Sequence, residues 1–190
     1  MLTFDETKHQ YTENGLIIPS VTQIIEAAGL SDLTWIPKEV LEEKSDLGKK
    51  VHKTTELYDL GILDLDSLHE TLRGYLDSWI KFRKDYGFEP EEIEKQCFHP
   101  LYKFAGRVDR VGKRILVDIK SGTKQKSHAI QTMGYKILFD CERAKSESIK
   151  ERYAVYLKED GYEVEPHKNQ NDLNVFLAAL TIYNFKKGAK

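Results

Sequence analysis

Apolar positions along this chain recur with two different periods. Val21, Ile24, Ile25 and Ala28 share one helical face, with Ser20 a candidate N-cap before them and Gly29 a stop after them. A second helical pattern covers residues 38–60 through Val40, Leu41, Leu47, Val51 and Leu57. A third runs from Leu68 to Tyr86 through Leu72, Leu76, Trp79, Ile80 and Phe82, closed by Gly87. The pattern then changes, and strands are predicted to dominate from Ile93 to Ile119. A helix is predicted from about His128 to Phe139, a hairpin from Arg152–Leu157 and Tyr162–Pro166 around Glu159-Asp160-Gly161, and a closing helix from Asp172 to Lys187. Ahead of them all, Tyr11, Leu16 and Ile18 flank Glu13-Asn14-Gly15 as a small hairpin. This order predicts an α/β protein, a single three-layer domain over residues 1–190 with a central mixed β-sheet flanked by helices.

The polar residues that interrupt the strands carry the candidate chemistry. Gly106-Arg107-Val108-Asp109 is followed nine residues later by Asp118-Ile119-Lys120. Asp109 is expected to end a short strand, Gly112-Lys113-Arg114 to turn, and Ile115 to Ile119 to return beside it. Val117 and Ile119 alternate with Asp118 and Lys120, which puts both polar side chains on one face. Two carboxylates brought together suit Mg²⁺ or Mn²⁺, and a lysine beside them suits an attacking water or a phosphate oxygen. The competing reading is a twisted hairpin with polar residues on its wet face. Glu94, on the preceding strand, offers a third carboxylate. Gly48 inside the second helix suggests a close backbone approach, and His52 one turn later is a candidate imidazole ligand that tilts the preference toward Mn²⁺. Gln131 and Tyr135 are four apart on the helix after the hairpin and share a face, with His128 on the same side.

Composition narrows the setting. With 190 residues, 32% charged and 40% hydrophobic, the chain reads as one folded domain with a core of its own. No apolar run is long enough to span a membrane, and Met1-Leu2-Thr3-Phe4-Asp5-Glu6 has neither the basic nor the apolar region of a signal peptide. Cys97 and Cys141 are not in a C-x-x-C spacing, which argues against a zinc or iron–sulfur site and fits a reducing cytosol. The net charge is −2, but seven basic residues crowd between Arg107 and Lys126 against only Asp109 and Asp118. That segment can attract phosphate, and Arg107, Lys124 and Lys126 are its candidate DNA contacts.

Taken in order, Gly48-x-x-Val51-His52, Glu94, Gly106-x-x-Asp109, Asp118-Ile119-Lys120 and Gln131-x-x-x-Tyr135 resemble the motifs of the PD-(D/E)XK nuclease superfamily. The last motif makes the resemblance narrower, to the RecB-like exonucleases and small phage nucleases, and Tyr11…Pro19-Ser20-Val21-Thr22 resembles phage-type members. The resemblance implies a restriction-endonuclease-like core over residues 48–187, preceded by an N-terminal hairpin and helix over 1–47. It implies that His52, Asp109, Asp118 and the Ile119 carbonyl hold Mg²⁺ or Mn²⁺, and that Lys120 positions the attacking water. Glu94 would orient the metal or its water, while Gln131 and Tyr135 would engage DNA near the scissile phosphate. Val108 stands where many members have proline, and the chain lacks the four cysteines of the CRISPR-associated relatives. No ATP-binding loop is encoded, since Gly112-Lys113 is misplaced and Arg114 replaces the Ser/Thr such a loop needs. The activity implied is a metal-dependent deoxyribonuclease, exonucleolytic, in the cytoplasm of a bacterial host. It would serve phage or bacterial recombination, replication or repair, alongside a recombination or replication partner protein or as a homo-oligomer, and with no membrane. A structure-selective or site-specific endonuclease is the alternative within hydrolases, and an inactive nucleic-acid-binding domain the alternative outside them.

Overall fold

A reciprocal capping box starts the first helix: Ser20 Oγ accepts from Gln23 N–H at 3.1 Å, and the Gln23 side chain accepts from Ser20 N–H at 3.0 Å. The computed structural model describes residues 2–5, 10–31 and 36–188, so Met1 and Glu6 of the opening segment lie outside the described residues. Strands β1 (Leu2–Asp5), β2 (Gln10–Glu13) and β3 (Leu16–Ile18) form a small antiparallel sheet, followed by α1 (Val21–Ala27), α2 (Lys38–Asp59) and α3 (Glu70–Tyr86). Helix α3 stops at Gly87, whose φ of +58° is the left-handed conformation that glycine adopts without a steric penalty. Then come β4 (Glu92–His99), β5 (Phe104–Gly112), β6 (Ile115–Lys120), α4 (Ser127–Asp140), β7 (Glu151–Lys158), β8 (Gly161–Pro166) and α5 (Asp172–Gly188).

The five later strands make one sheet in the order β4-β5-β6-β7-β8. All neighbours are antiparallel except β6 and β7, which run parallel because α4 carries the chain back between them. Leu116 and Val117 point to opposite faces and enter different cores. Leu116 joins Val108, Leu138 and Phe176 beneath α1, α4 and α5, whereas Val117 joins Val51, Trp79, Phe82 and Val155 beneath α2 and α3. The protein is therefore an α/β fold with a mixed sheet between two helical layers, as the hydrophobic pattern predicts. Among the described residues no helix is long and apolar enough to cross a membrane.

One local expectation needs correction, and the competing wet-face reading of the hairpin fails. Asp109 does not end a short strand, because β5 runs on to Gly112 and is nine residues long. Nor does the polar face of the hairpin meet water: Asp109 and Asp118 are 7% and 1% exposed. Helix α4 packs on the side of Asp118 and Lys120 and α2 on the side of Asp109, and burial follows from that packing rather than from the strand pattern. The turn itself is made by Lys113 and Arg114, with φ of +48° and +69°, the pair of left-handed residues that a two-residue hairpin requires.

The helical layer above the site depends on close contact at Gly134. A Cβ there would lie 2.7 Å from the Phe176 ring and 2.8 Å from Val21 Cγ1. Gly134→Ala gains about 1 kcal/mol in helix propensity but overpacks a core junction, at a cost of about 1–3 kcal/mol. We expect a net loss of about 1 kcal/mol in urea unfolding. An unchanged or higher midpoint would show that α1 and α5 can retreat.

Candidate functional site

The sheet is irregular where the candidate residues meet. Ile93 pairs with Arg110 and Lys95 with Val108, so Glu94 stands opposite Asp109, yet these two residues form no ladder pair. Glu94 has a φ of +48°, a left-handed backbone that a glutamate rarely adopts and that persists only where its surroundings hold it. The β5–β6 ladder likewise stops at Arg110 and Val117. Beyond it the Asp109 carboxylate takes the place of a backbone acceptor, accepting from Ile119 N–H at 2.7 Å. In an extended strand the N–H and C=O of one residue lie on the same side, so the Ile119 carbonyl faces this opening too.

Helix α2 lays His52 over that opening. His52 Nδ1 lies 3.6 Å from Asp109 Oδ2 and 3.9 Å from Glu94 Oε1. One donor atom from each of His52, Glu94 and Asp109 falls within 4.8 Å of the others. Gly48, one turn earlier on α2, faces the Ser121 hydroxyl, which a Cβ would approach to 3.3 Å. The close approach suggested by this glycine thus exists, against a side chain that can move.

A second set of residues continues from the strand into α4. Lys120 Nζ lies 2.8 Å from Asp118 Oδ2 and donates to Gln131 Oε1 at 2.9 Å. Gln131 Nε2 in turn donates to the Tyr135 hydroxyl at 3.0 Å. Asp118 Oδ2 is buried with no well-aligned hydrogen bond, so its contact with Lys120 is chiefly coulombic. Gly106 lets α4 come this near: a Cβ there would lie 3.0 Å from the Tyr135 ring and 2.9 Å from Leu138. Asp118 belongs to this lysine chain and is not among the three donors that converge around His52.

Charge in the site is unbalanced. Burial pushes the Asp109 carboxyl up to about 6, with Asp118 and Glu94 adding to the effect and His52 opposing it. Burial also disfavours charge on His52, but the Asp109 and Glu94 carboxylates outweigh it and hold the imidazole above its ordinary value. For Glu94, His52 and Arg110 overcome burial and keep the carboxyl low. A divalent cation fits this donor set. An imidazole nitrogen and two carboxylate oxygens converge, and positive charge there would offset the burial, and the smaller repulsion, that lift Asp109.

Of the three candidate DNA contacts, Arg107 is paired with Glu94 at 3.0 Å and lies over the Phe4 ring. Lys124 is paired with Glu163 at 2.9 Å, and Lys126 is exposed at the start of α4. Sequence reasoning missed the support behind Glu94. Arg110, wholly buried, donates to Glu94 Oε1 at 2.8 Å, to the Asp109 carbonyl at 2.6 Å and to Asp59 Oδ2 at 2.6 Å. Asp59 also receives Arg83 at 2.9 Å and the Trp79 indole N–H at 3.0 Å. An arginine among the buried valines of β5 was the one available signal; nothing marked Asp59. No family model matches the chain, and no curated protein matches it.

His52→Ala should weaken Mn²⁺ binding by roughly tenfold or more in calorimetric titration, the scale of losing one well-placed partner of a metal site. An unchanged titration would remove His52 from the ligand set.

Proposed function

We propose that this protein is a divalent-metal-dependent deoxyribonuclease, exonucleolytic, acting in phage or bacterial recombination, replication or repair in the host cytoplasm. The observation that carries the reading is the juxtaposition of two groups. A His52–Glu94–Asp109 donor set sits on one side of the β5–β6 opening, and the Asp118–Lys120–Gln131–Tyr135 chain continues from its edge. The ordered resemblance to PD-(D/E)XK nucleases supports the same reading.

His52, Glu94 and Asp109 would hold Mg²⁺ or Mn²⁺, with Asp118 and the Ile119 carbonyl nearby. A cation bound there lowers the pKa of water and offsets charge on the phosphate. The chain's own residues do the rest. Asp109 is fixed by Ile119 N–H, and Arg110 fixes Glu94, so two of the donors are preorganised. Asp118 and Gln131 hold the Lys120 ammonium from two sides, and Tyr135 fixes the Gln131 amide. An ammonium so placed orients the attacking water and stabilises the charge that grows on the phosphate oxygens. DNA phosphates would draw on Arg107, Lys124 and Lys126.

The test is a time course on end-labelled linear and closed-circular DNA with Mn²⁺, Mg²⁺ or EDTA. Metal-dependent loss of linear DNA alone supports the exonuclease. Nicking or linearisation of the circle supports an endonuclease. DNA binding without cleavage under any condition points to a binding domain.

A further inference from the structure

We propose that His128 is a further catalytic residue of this site, whose Nε2 accepts a hydrogen bond from the attacking water. The proposal rests on the nuclease reading above. His128 lies in the first turn of α4, three residues before Gln131, which receives Lys120. Its Nδ1 is 2.7 Å from the Tyr156 hydroxyl, and β7 places Tyr156 beside Lys120 across the parallel ladder, about 4.8 Å away by strand spacing. The imidazole and the Lys120 ammonium are thus neighbours along both the helix and the sheet.

The charged partner of Tyr156 assigns which ring nitrogen is bare. We assign the Tyr156 hydroxyl proton to the Glu165 carboxylate, whose Oε2 lies 3.3 Å away, which makes the hydroxyl the acceptor in its 2.7 Å contact with His128 Nδ1. Nδ1 therefore carries the hydrogen and Nε2 keeps its lone pair. Burial, with the Lys120 ammonium adding to it, pushes the imidazole down to about 4, and the ring is neutral near pH 7. A lone pair here repels phosphate oxygens, which offer no proton, and attracts water, which does. Lys120 can only donate. The two side chains are complementary: one holds the oxygens of the phosphate, and the other aligns the nucleophile by a proton.

The experiment combines ¹⁵N imidazole NMR of the metal-free protein with single-turnover cleavage of linear DNA in Mn²⁺. Dissociation constants for DNA are measured in Ca²⁺. NMR is expected to find Nδ1 protonated and Nε2 bare. His128→Phe should lower the cleavage rate roughly 10- to 100-fold, the scale of a misaligned reacting group, with DNA affinity unchanged. His128→Gln, whose amide oxygen accepts the same bond, should retain more of the rate. Tyr156→Phe, which frees the ring, should lower it less, and the double variant should be no slower than His128→Phe. A wild-type rate in His128→Phe, an equal loss of DNA affinity, or an Nε2-protonated tautomer would overturn the proposal. If His128→Phe fails to fold, the His128→Gln and Tyr156→Phe rates decide: both at wild type overturns it. Absence of cleavage by the wild-type protein in either metal would remove the nuclease reading, and the water with it. Cleavage by the wild type that His128→Phe leaves untouched removes only His128.

Discussion

Lys120→Ala is expected to abolish DNA cleavage while the protein stays folded. The ammonium is held between Asp118 Oδ2 at 2.8 Å and Gln131 Oε1 at 2.9 Å, so its position does not depend on substrate. Preorganised donors of this kind are worth about 10²–10³-fold each, and a full charge in a buried site is worth more. We expect a loss of at least about 10³-fold in kcat/KM, or roughly 4 kcal/mol of transition-state stabilisation. Removing the lysine takes the coulombic partner from Asp118 but leaves both hydrophobic cores of the sheet intact. Circular dichroism should therefore change little. Lys120→Arg is not expected to rescue, because a planar guanidinium cannot replace a compact ammonium between the same two oxygens. Asp118→Ala should be equally inactive, since it frees the lysine. Wild-type-like turnover in Lys120→Ala or Asp118→Ala, on material free of contaminating nuclease, removes the mechanism.

Asp59→Ala is expected to produce the largest loss of stability of any single change in the site's support. The Asp59 side chain is fully buried and accepts from Arg110, Arg83 and Trp79. Burial disfavours charge on Arg110, yet its neighbours, Asp59 first among them, hold its pKa above the ordinary value. Removing one partner of a buried pair costs about 3–5 kcal/mol, and with Glu94 left as a second carboxylate on Arg110 the lower end of that range is expected. Domains of this size are stable by only about 5–15 kcal/mol, so the urea midpoint should fall steeply. Asp59→Asn keeps an acceptor and should fall less. A loss below about 0.5 kcal/mol in Asp59→Ala would mean that water or Glu94 can replace the carboxylate. The same variant should weaken Mn²⁺ binding, because Arg110 also holds Glu94.

How far the site was legible depends on distance along the chain. Gln131 and Tyr135 share a helical face and do bond to each other, since the helix alone fixes that geometry. Asp118 and Lys120 share a strand face for the same kind of reason. The burial of both aspartates was not legible, because α4 approaches the sheet through Gly106 and α2 lays His52 against Asp109, and neither contact is local in sequence. Arg110 and Asp59 were missed because their partners come from α2, α3 and β4, and no periodicity relates an arginine to an aspartate 51 residues away.

By itself the sequence determined the helices, the strands of the larger sheet, their order and the α/β architecture, but not β1, four residues that pair with the expected hairpin. Periodicity and caps act within a few residues, and local sterics settle them. It also determined which residue types were available for chemistry. Tertiary structure alone decided how they group. His52, Glu94 and Asp109 converge because two β5 ladders break at Asp109 and α2 lies across the break. Asp118 turns instead to Lys120, and Tyr156 meets His128 Nδ1 from a neighbouring strand. Such groupings arise from packing between segments far apart in the chain, where side-chain geometry, charge and burial are fixed together.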